Sequence, residues 1–225
     1  MSRLASSAQP WHWALATGVC GLLAILSAPW ALGQPWMNFV FKPLATLAVI
    51  AYAAGRGQDQ PVVRRWVLIG LLCSLAGDVA LLWPQQGFLP GLVSFLLAHL
   101  AYLWAFTRER RLAERALPLV FYAAVAGSVL WLLWPGVPAG LRVPVAGYVL
   151  CLALMAAQAA VLWRSGSPRG LWLAVGGASF VCSDALLAVN KFAQPLPAAS
   201  LWILATYWLA QWCLASWLAP RRAAA

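Results

Sequence analysis

The chain has 225 residues, of which 64% are hydrophobic and only 9% are charged. This composition leaves too little polar surface for a soluble domain and is typical of a polytopic membrane protein, here one transmembrane domain over residues 1–225. A net charge of +10 would suggest a nucleic-acid partner in a soluble protein, but here the arginines fall in short loops between apolar segments, which excludes nucleic-acid binding.

The apolar segments predict an all-α bundle of about eight transmembrane helices, each long enough to cross a hydrocarbon core of about 30 Å. Gly, Pro or charged residues separate the segments. Arg3 followed by an apolar run that ends in SAPWALG is also typical of a signal peptide, but the run is long for one, so we expect an uncleaved first span. The predicted spans are 11–32, 37–54, 63–83, 87–107, 116–134, 143–163, 170–190 and 198–218.

Lysine and arginine are distributed unevenly between the two sets of loops. Twelve lie on the side that holds both termini and three on the other, so the positive-inside rule predicts that both termini are cytoplasmic. The excess of Arg over Lys hints at a GC-rich bacterial genome, and we expect the protein in a bacterial cytoplasmic (inner) membrane. The cytoplasmic set is Arg3, Arg56, Arg64, Arg65, Arg108, Arg110, Arg111, Arg115, Arg164, Arg169, Arg221 and Arg222, and the outer set is Lys42, Arg142 and Lys191.

Two aspartates lie inside predicted spans in similar sequence settings. Asp78 lies in GLLCSLAGDVALL at 70–82, and Asp184 lies in GGASFVCSDALLA at 176–188. A carboxylate at the bilayer centre costs about 2.5–3.5 kcal/mol, so such placement indicates a functional role. The two segments are 106 residues apart, which suggests two parallel repeats of four helices each.

Several polar side chains are predicted to lie at the depth of the two aspartates. At 1.5 Å per residue, both carboxyl groups lie about 20 Å from the cytoplasmic end of their spans, and Lys42, Asn38 and Tyr148 lie at about the same depth. Groups at one depth on different helices can line one cavity. Two carboxyl groups in such a cavity do not both ionise easily, so one can remain an acid while the other acts as a base. Lys42 would pair with the ionised carboxylate or bind a substrate phosphate.

Four segments resemble the motifs of the YhhN family, which includes the lysoplasmalogenases, and the resemblance covers nearly the whole chain. The segments are FKPLATL at 41–47, LLCSLAGDVALL at 71–82, FLPGLVSFLLAHLAYLWAF at 88–106 and GGASFVCSDALLAVNKF at 176–192. The resemblance implies a membrane hydrolase that cleaves the sn-1 vinyl ether of a lysoplasmalogen, a single-chain phospholipid, to a fatty aldehyde and glycerophosphoethanolamine or glycerophosphocholine. It implies catalytic roles for Asp78 and Asp184, and it extends to Lys42, His99, Tyr102, Asn190 and Lys191, which with Asn38 and Tyr148 form the predicted substrate-binding set.

The chemistry of these residues suits that reaction. Protonation of the vinyl ether β-carbon gives an oxocarbenium ion, which two carboxyl groups can form and stabilise as they do in glycoside hydrolysis. We expect no metal and no cofactor, since HExxH is absent and the chain has only two histidines. Two other functions stay open at this stage. One is a proton-coupled or lipid transporter that uses the same aspartates, and the other is a membrane scaffold in which the aspartates only hold helices together.

Overall fold

The computed structural model describes residues 10–220, which form eight α-helices in the order that the hydropathy pattern predicts. This part of the chain contains no β-strand, so the all-α prediction is confirmed. Two short 3-10 turns follow the fifth α-helix. The helices are α1 (Pro10–Leu26), α2 (Pro35–Ala54), α3 (Pro61–Ala80), α4 (Phe88–Thr107), α5 (Ala116–Leu133), α6 (Arg142–Arg164), α7 (Gly170–Phe192) and α8 (Ala199–Trp217).

Five of the eight helices are long and apolar enough to cross a membrane, namely α2, α4, α5, α6 and α7. The other three differ for separate reasons. Helix α1 has only 17 residues, α3 carries two arginines in addition to Asp78, and α8 contains four tryptophans. An eight-span topology and a four-helix repeat therefore stay predictions.

The helices pack as neighbouring pairs that glycine brings close together. Helix α3 packs along α4, and a Cβ added at Gly70 would lie 2.3 Å from the ring of Tyr102. One turn before the end of α3, a Cβ at Gly77 would lie 2.6 Å from the ring of Phe95. Small residues at such positions allow the close helix approach that drives packing inside lipid. The position of Asp78, next to Gly77, follows from this contact.

The outer surface of the bundle is apolar, as expected where helices face lipid. Trp131 on α5 is 80% exposed, and Val143 at the start of α6 is 83% exposed. Helix α5 packs mainly on α6 and only weakly on α7, so one side of the bundle is loosely closed.

Arginines and a glutamine fasten the loops at the arginine-rich end of the bundle. Arg56 and Arg169 each donate a hydrogen bond of 2.9 Å to the carbonyl oxygen of Leu218, at the end of α8. Gln158 on α6 donates to the carbonyl oxygens of Arg110 and Arg111 in the α4–α5 loop. Three arginines of the predicted cytoplasmic set, Arg3, Arg221 and Arg222, lie outside the described residues.

Candidate functional site

Asp78 lies in a closed polar cluster between α2, α3 and α8, with only 1% of its surface exposed. Its Oδ2 accepts a hydrogen bond of 2.6 Å from the Thr46 hydroxyl and one of 2.7 Å from the Tyr207 hydroxyl. The Lys42 ammonium lies 3.6 Å from Oδ1 and is itself buried. The negative charge of Asp78 is thus balanced by a cation and by two donors, which is what a buried charge requires.

The cluster continues through α8 to α4. The Gln211 side-chain amide donates to the Tyr207 hydroxyl over 3.1 Å, and the Tyr102 hydroxyl donates to Gln211 Oε1 over 2.8 Å. The Trp208 indole donates to the Thr46 hydroxyl over 3.2 Å. A connected buried network of this kind fixes the relative positions of the helices that supply it. Tyr102, predicted to bind substrate, is fully buried within this network.

The site predicted from the sequence does not include four residues of this cluster, namely Thr46, Tyr207, Trp208 and Gln211. A spacing signal for three of them was present. Thr46 follows Lys42 by four residues on α2, and Gln211 follows Tyr207 by four residues on α8. Residues four apart lie on the same face of a helix, so each pair points toward the same neighbours.

Asp184 has a different environment from Asp78. It lies on α7, is partly exposed, and its Oδ2 accepts a hydrogen bond from the Tyr148 hydroxyl on α6. No Lys or Arg among the described residues forms an ion pair with Asp184, and its Oδ1 receives no hydrogen bond from them. The carboxyl group is therefore held from one side and free on the other.

Asp184 lines a cavity that is enclosed mainly by α4, α5, α6 and α7. The walls are aliphatic and aromatic side chains, and their only polar members are Tyr122, Tyr148 and Asp184. Asp78 does not line this cavity. The apolar walls suit a hydrocarbon chain.

A layer of aromatic rings separates the two carboxyl groups, which have no hydrogen-bond partner in common. The His99 ring lies 5.3 Å from the Tyr148 ring and 4.8 Å from the Phe180 ring, measured between ring centroids. Phe180 lies 5.7 Å from Tyr207 in turn. His99 is fully buried, and neither of its ring nitrogens has a hydrogen-bond partner among the described residues. The layer thus runs from the partner of Asp184 to the partner of Asp78.

The two carboxyl groups have equivalent neighbours along the chain. Lys42 and Tyr148 are 106 residues apart, the same separation as between Asp78 and Asp184. In each case a residue on one helix contacts an aspartate on the next helix. The repeat stays a prediction, and within it Lys42 would correspond to Tyr148.

The remaining predicted residues lie near the ends of their helices that are opposite the arginine-rich end of the bundle. Asn38 is half-buried, one turn before Lys42. Asn190 Oδ1 accepts a hydrogen bond of 2.9 Å from the Leu196 amide in the α7–α8 turn. The exposed Lys191 ammonium lies 4.6 Å from the centre of the Phe88 ring and 3.4 Å from the Pro84 carbonyl oxygen. Lys191 thus lies at the rim of the cavity, because Phe88 is one of the side chains that line it.

Comparison with known proteins agrees with the resemblance that the motifs indicated. The model of the YhhN family matches residues 37–218. Lysoplasmalogenase TMEM86B of Sus scrofa is 39% identical over 185 residues, which cover 79% of this chain and 74% of the relative. Lysoplasmalogenase TMEM86B of Homo sapiens is 40% identical over 141 residues, which cover 63% of this chain and 58% of the relative.

A bacterial relative is also similar. The lysoplasmalogenase of Mycobacterium tuberculosis is 32% identical over 171 residues, which cover 71% of this chain and 62% of the relative. No solved structure matches the chain. The family match and the five apolar helices lead to one conclusion: the chain is a multi-pass membrane protein that belongs to the YhhN family.

Proposed function

We propose that the protein is a membrane hydrolase that cleaves the sn-1 vinyl ether bond of lysoplasmalogens, with a fatty aldehyde and glycerophosphoethanolamine or glycerophosphocholine as products. The observation that carries this proposal is the Tyr148–Asp184 pair on the wall of an otherwise apolar cavity. The names of the relatives, which are lysoplasmalogenases, support the same substrate class.

The cavity suits a lipid with one hydrocarbon chain and a charged head group. The chain would lie among the apolar walls, and the vinyl ether at its start would meet Asp184. Lys191 at the rim offers a cation for the head-group phosphate. Lys42 is a weaker candidate for that role, because its ammonium already pairs with Asp78 in the buried cluster.

Asp184 would act as the acid in this reaction. A carboxyl group beside an apolar cavity, without a cationic partner, is favoured in its neutral form. Tyr148 holds one carboxyl oxygen and leaves the other directed to substrate. The acid transfers its proton to the β-carbon of the vinyl ether, and the α-carbon and the ether oxygen then share the positive charge of an oxocarbenium ion.

Water completes the reaction at the α-carbon. The carboxylate form of Asp184 takes a proton from the attacking water, which leaves a hemiacetal and restores the acid. The same group then transfers its proton to the glycerol oxygen, and its carboxylate accepts the proton of the hemiacetal hydroxyl, so Asp184 ends the cycle as the acid. The bond between the α-carbon and that oxygen breaks, and the products are one aldehyde and one alcohol. Asp78, enclosed with Lys42 behind the aromatic layer, would act through the positions of the helices that it joins.

The proposal includes a topology of eight transmembrane helices in two parallel repeats, in a bacterial inner membrane with both termini cytoplasmic. The arginine-rich loops α2–α3, α4–α5 and α6–α7 lie at one end of the bundle, in agreement with the positive-inside rule. Accessibility labelling of single cysteines placed in each loop would test it. Labelling of the α6–α7 loop from the outside would contradict it.

The activity itself can be tested with purified protein in detergent. We expect aldehyde release from an alkenyl lysophospholipid and none from its saturated alkyl-ether analogue. Asp184→Asn should abolish the release, whereas Asp59→Asn, a change of an exposed loop aspartate, should not. Absence of release from any alkenyl lipid by folded wild-type protein would refute the proposal. In that case, proton uptake by reconstituted vesicles would test the transporter alternative.

A further inference from the structure

A second groove continues the line of the cavity toward the arginine-rich end of the bundle. It lies between α5, α6 and α7, with Phe121, Leu171 and Arg164 among its lining residues. Among the residues that line these two spaces, only Tyr122 is common to both. The Tyr122 side chain is therefore the partition between them.

The packing around Tyr122 shows why one side chain closes the passage. Tyr122 is 7% exposed and packs against Ala153, Ala156 and Ala157 on α6. It is the only buried member of this cluster larger than alanine, and the half-buried Leu119 and Val181 pack against the cluster. Of these larger side chains only Tyr122 lines both spaces, so its ring fills the volume between cavity and groove.

Tyr122 lies closer to the arginine-rich end of the bundle than the carboxyl group of Asp184 does. Helices α5 and α7 both run from the arginine-rich end to the opposite end. Asp184 lies 14 residues after Gly170, and Tyr122 lies six residues after Ala116. At 1.5 Å per residue, the two side chains are about 12 Å apart along the helix axes.

We propose that Tyr122 is the floor of the substrate cavity and sets the longest hydrocarbon chain that the enzyme accepts. The inference rests on the proposed function, in which the chain begins at Asp184 and extends toward Tyr122. Removal of the ring would join the cavity to the second groove and give longer chains an apolar space to enter. Each methylene taken from water into such a space favours binding by about fourfold.

The test is a chain-length series of alkenyl lysophospholipids with Tyr122→Ala and Tyr122→Phe. At each length kcat/KM is divided by the wild-type value, which cancels the partition of longer chains into detergent. For Tyr122→Ala we expect this ratio to rise by at least tenfold from the shortest to the longest chain. Tyr122→Phe keeps the ring and should give a flat ratio. Val120→Ala, a change of an exposed residue that lines neither space, is the matched control and should also be flat.

A second variant tests the same idea in the opposite direction. Ala126 lies one turn above Tyr122 and lines the cavity. Ala126→Leu shortens the cavity between Asp184 and Tyr122. The ratio of its kcat/KM to the wild-type value should therefore fall as the hydrocarbon chain lengthens. This variant keeps the partition in place and serves if Tyr122→Ala does not fold.

Binding separates the failure of this inference from the failure of the proposed function. The Kd of each variant for saturated alkyl-ether lysophospholipids of increasing length is measured by tryptophan fluorescence. At each length it is divided by the wild-type Kd. One outcome is that wild-type protein releases no aldehyde while the Kd ratio falls with chain length for Tyr122→Ala and rises for Ala126→Leu. In that case the proposed function is wrong, and the role of Tyr122 as the end of the cavity is supported. Flat ratios for folded Tyr122→Ala and Ala126→Leu, in turnover or in binding, would overturn the role of Tyr122.

Discussion

The two aspartates should respond to the same substitution in opposite ways. Asp78→Asn removes the negative charge from a site where Lys42 is almost fully buried and has Asp78 as its ion-pair partner. Asp184→Asn removes no ion pair, and an asparagine oxygen can still accept the hydrogen bond from Tyr148. The first change should therefore act on stability and the second on activity.

The size of the stability effect follows from the contacts. Loss of one partner of a buried ion pair costs about 3–5 kcal/mol, because the remaining charge is left without compensation. For a chain of this length, about 2–4 °C of thermal midpoint corresponds to each kcal/mol, so Asp78→Asn should lower the midpoint by on the order of 10 °C. For Asp184→Asn, at most about 1 kcal/mol is at risk, the net value of a single hydrogen bond.

The assay is thermal unfolding of purified protein in detergent, with aldehyde release measured at a temperature where every variant is folded. A double-mutant cycle adds Lys42→Met, alone and together with Asp78→Asn. The double variant has neither charge, so its thermal midpoint should lie above that of Asp78→Asn alone. Aldehyde release should be lost in Asp184→Asn while its midpoint stays within about 4 °C of wild type.

Two results would refute this reasoning. If Asp78→Asn unfolds at the wild-type temperature, the Lys42–Asp78 contact does not hold the bundle together. If Asp184→Asn retains hydrolysis, the cavity carboxyl group is not the acid.

Three further substitutions test the packing and the positioning of the site. Tyr148→Phe removes the donor to the cavity carboxyl group; we expect kcat to fall at least tenfold with little change in KM or thermal midpoint, and an unchanged kcat would contradict its positioning role. Gly70→Ala places a methyl group 2.3 Å from the fully buried Tyr102 ring and should cost about 1–3 kcal/mol in thermal unfolding, whereas Gly127→Ala, with open space around it, should cost less than about 1 kcal/mol. Arg56→Ala removes one of the two side-chain donors to Leu218 at the end of α8 and should lower the stability by about 1–2 kcal/mol, a loss that Arg56→Lys should restore only in part.

Helix positions were predictable from the sequence because apolar runs and their Gly, Pro and Arg boundaries are local signals. The predicted third span, 63–83, overlaps α3 (Pro61–Ala80), and the predicted seventh, 170–190, overlaps α7 (Gly170–Phe192). The depth of Lys42 relative to Asp78 was also predictable, since depth depends only on the rise per residue. Their contact of 3.6 Å agrees with that estimate of depth.

The partners of each carboxyl group could not be read from depth. Asp78 and Asp184 were predicted at one depth, but depth says nothing of how far a helix is rotated about its axis. Rotation and neighbours direct Asp78 toward Thr46 and Tyr207, and direct Asp184 toward Tyr148 and an open cavity. Two similar motifs thus have different environments.

The amino-acid sequence alone is enough to identify an all-helical membrane protein of the YhhN family with two aspartates inside its helices. Composition, hydropathy and short motifs suffice for that, because each is a property of a local segment. The packing of the folded chain encloses Asp78 with Lys42 and places Asp184 in the wall of a cavity that Tyr122 also lines. Those relations join residues from helices far apart in the chain, and they depend on how side chains of different size pack where the helices meet.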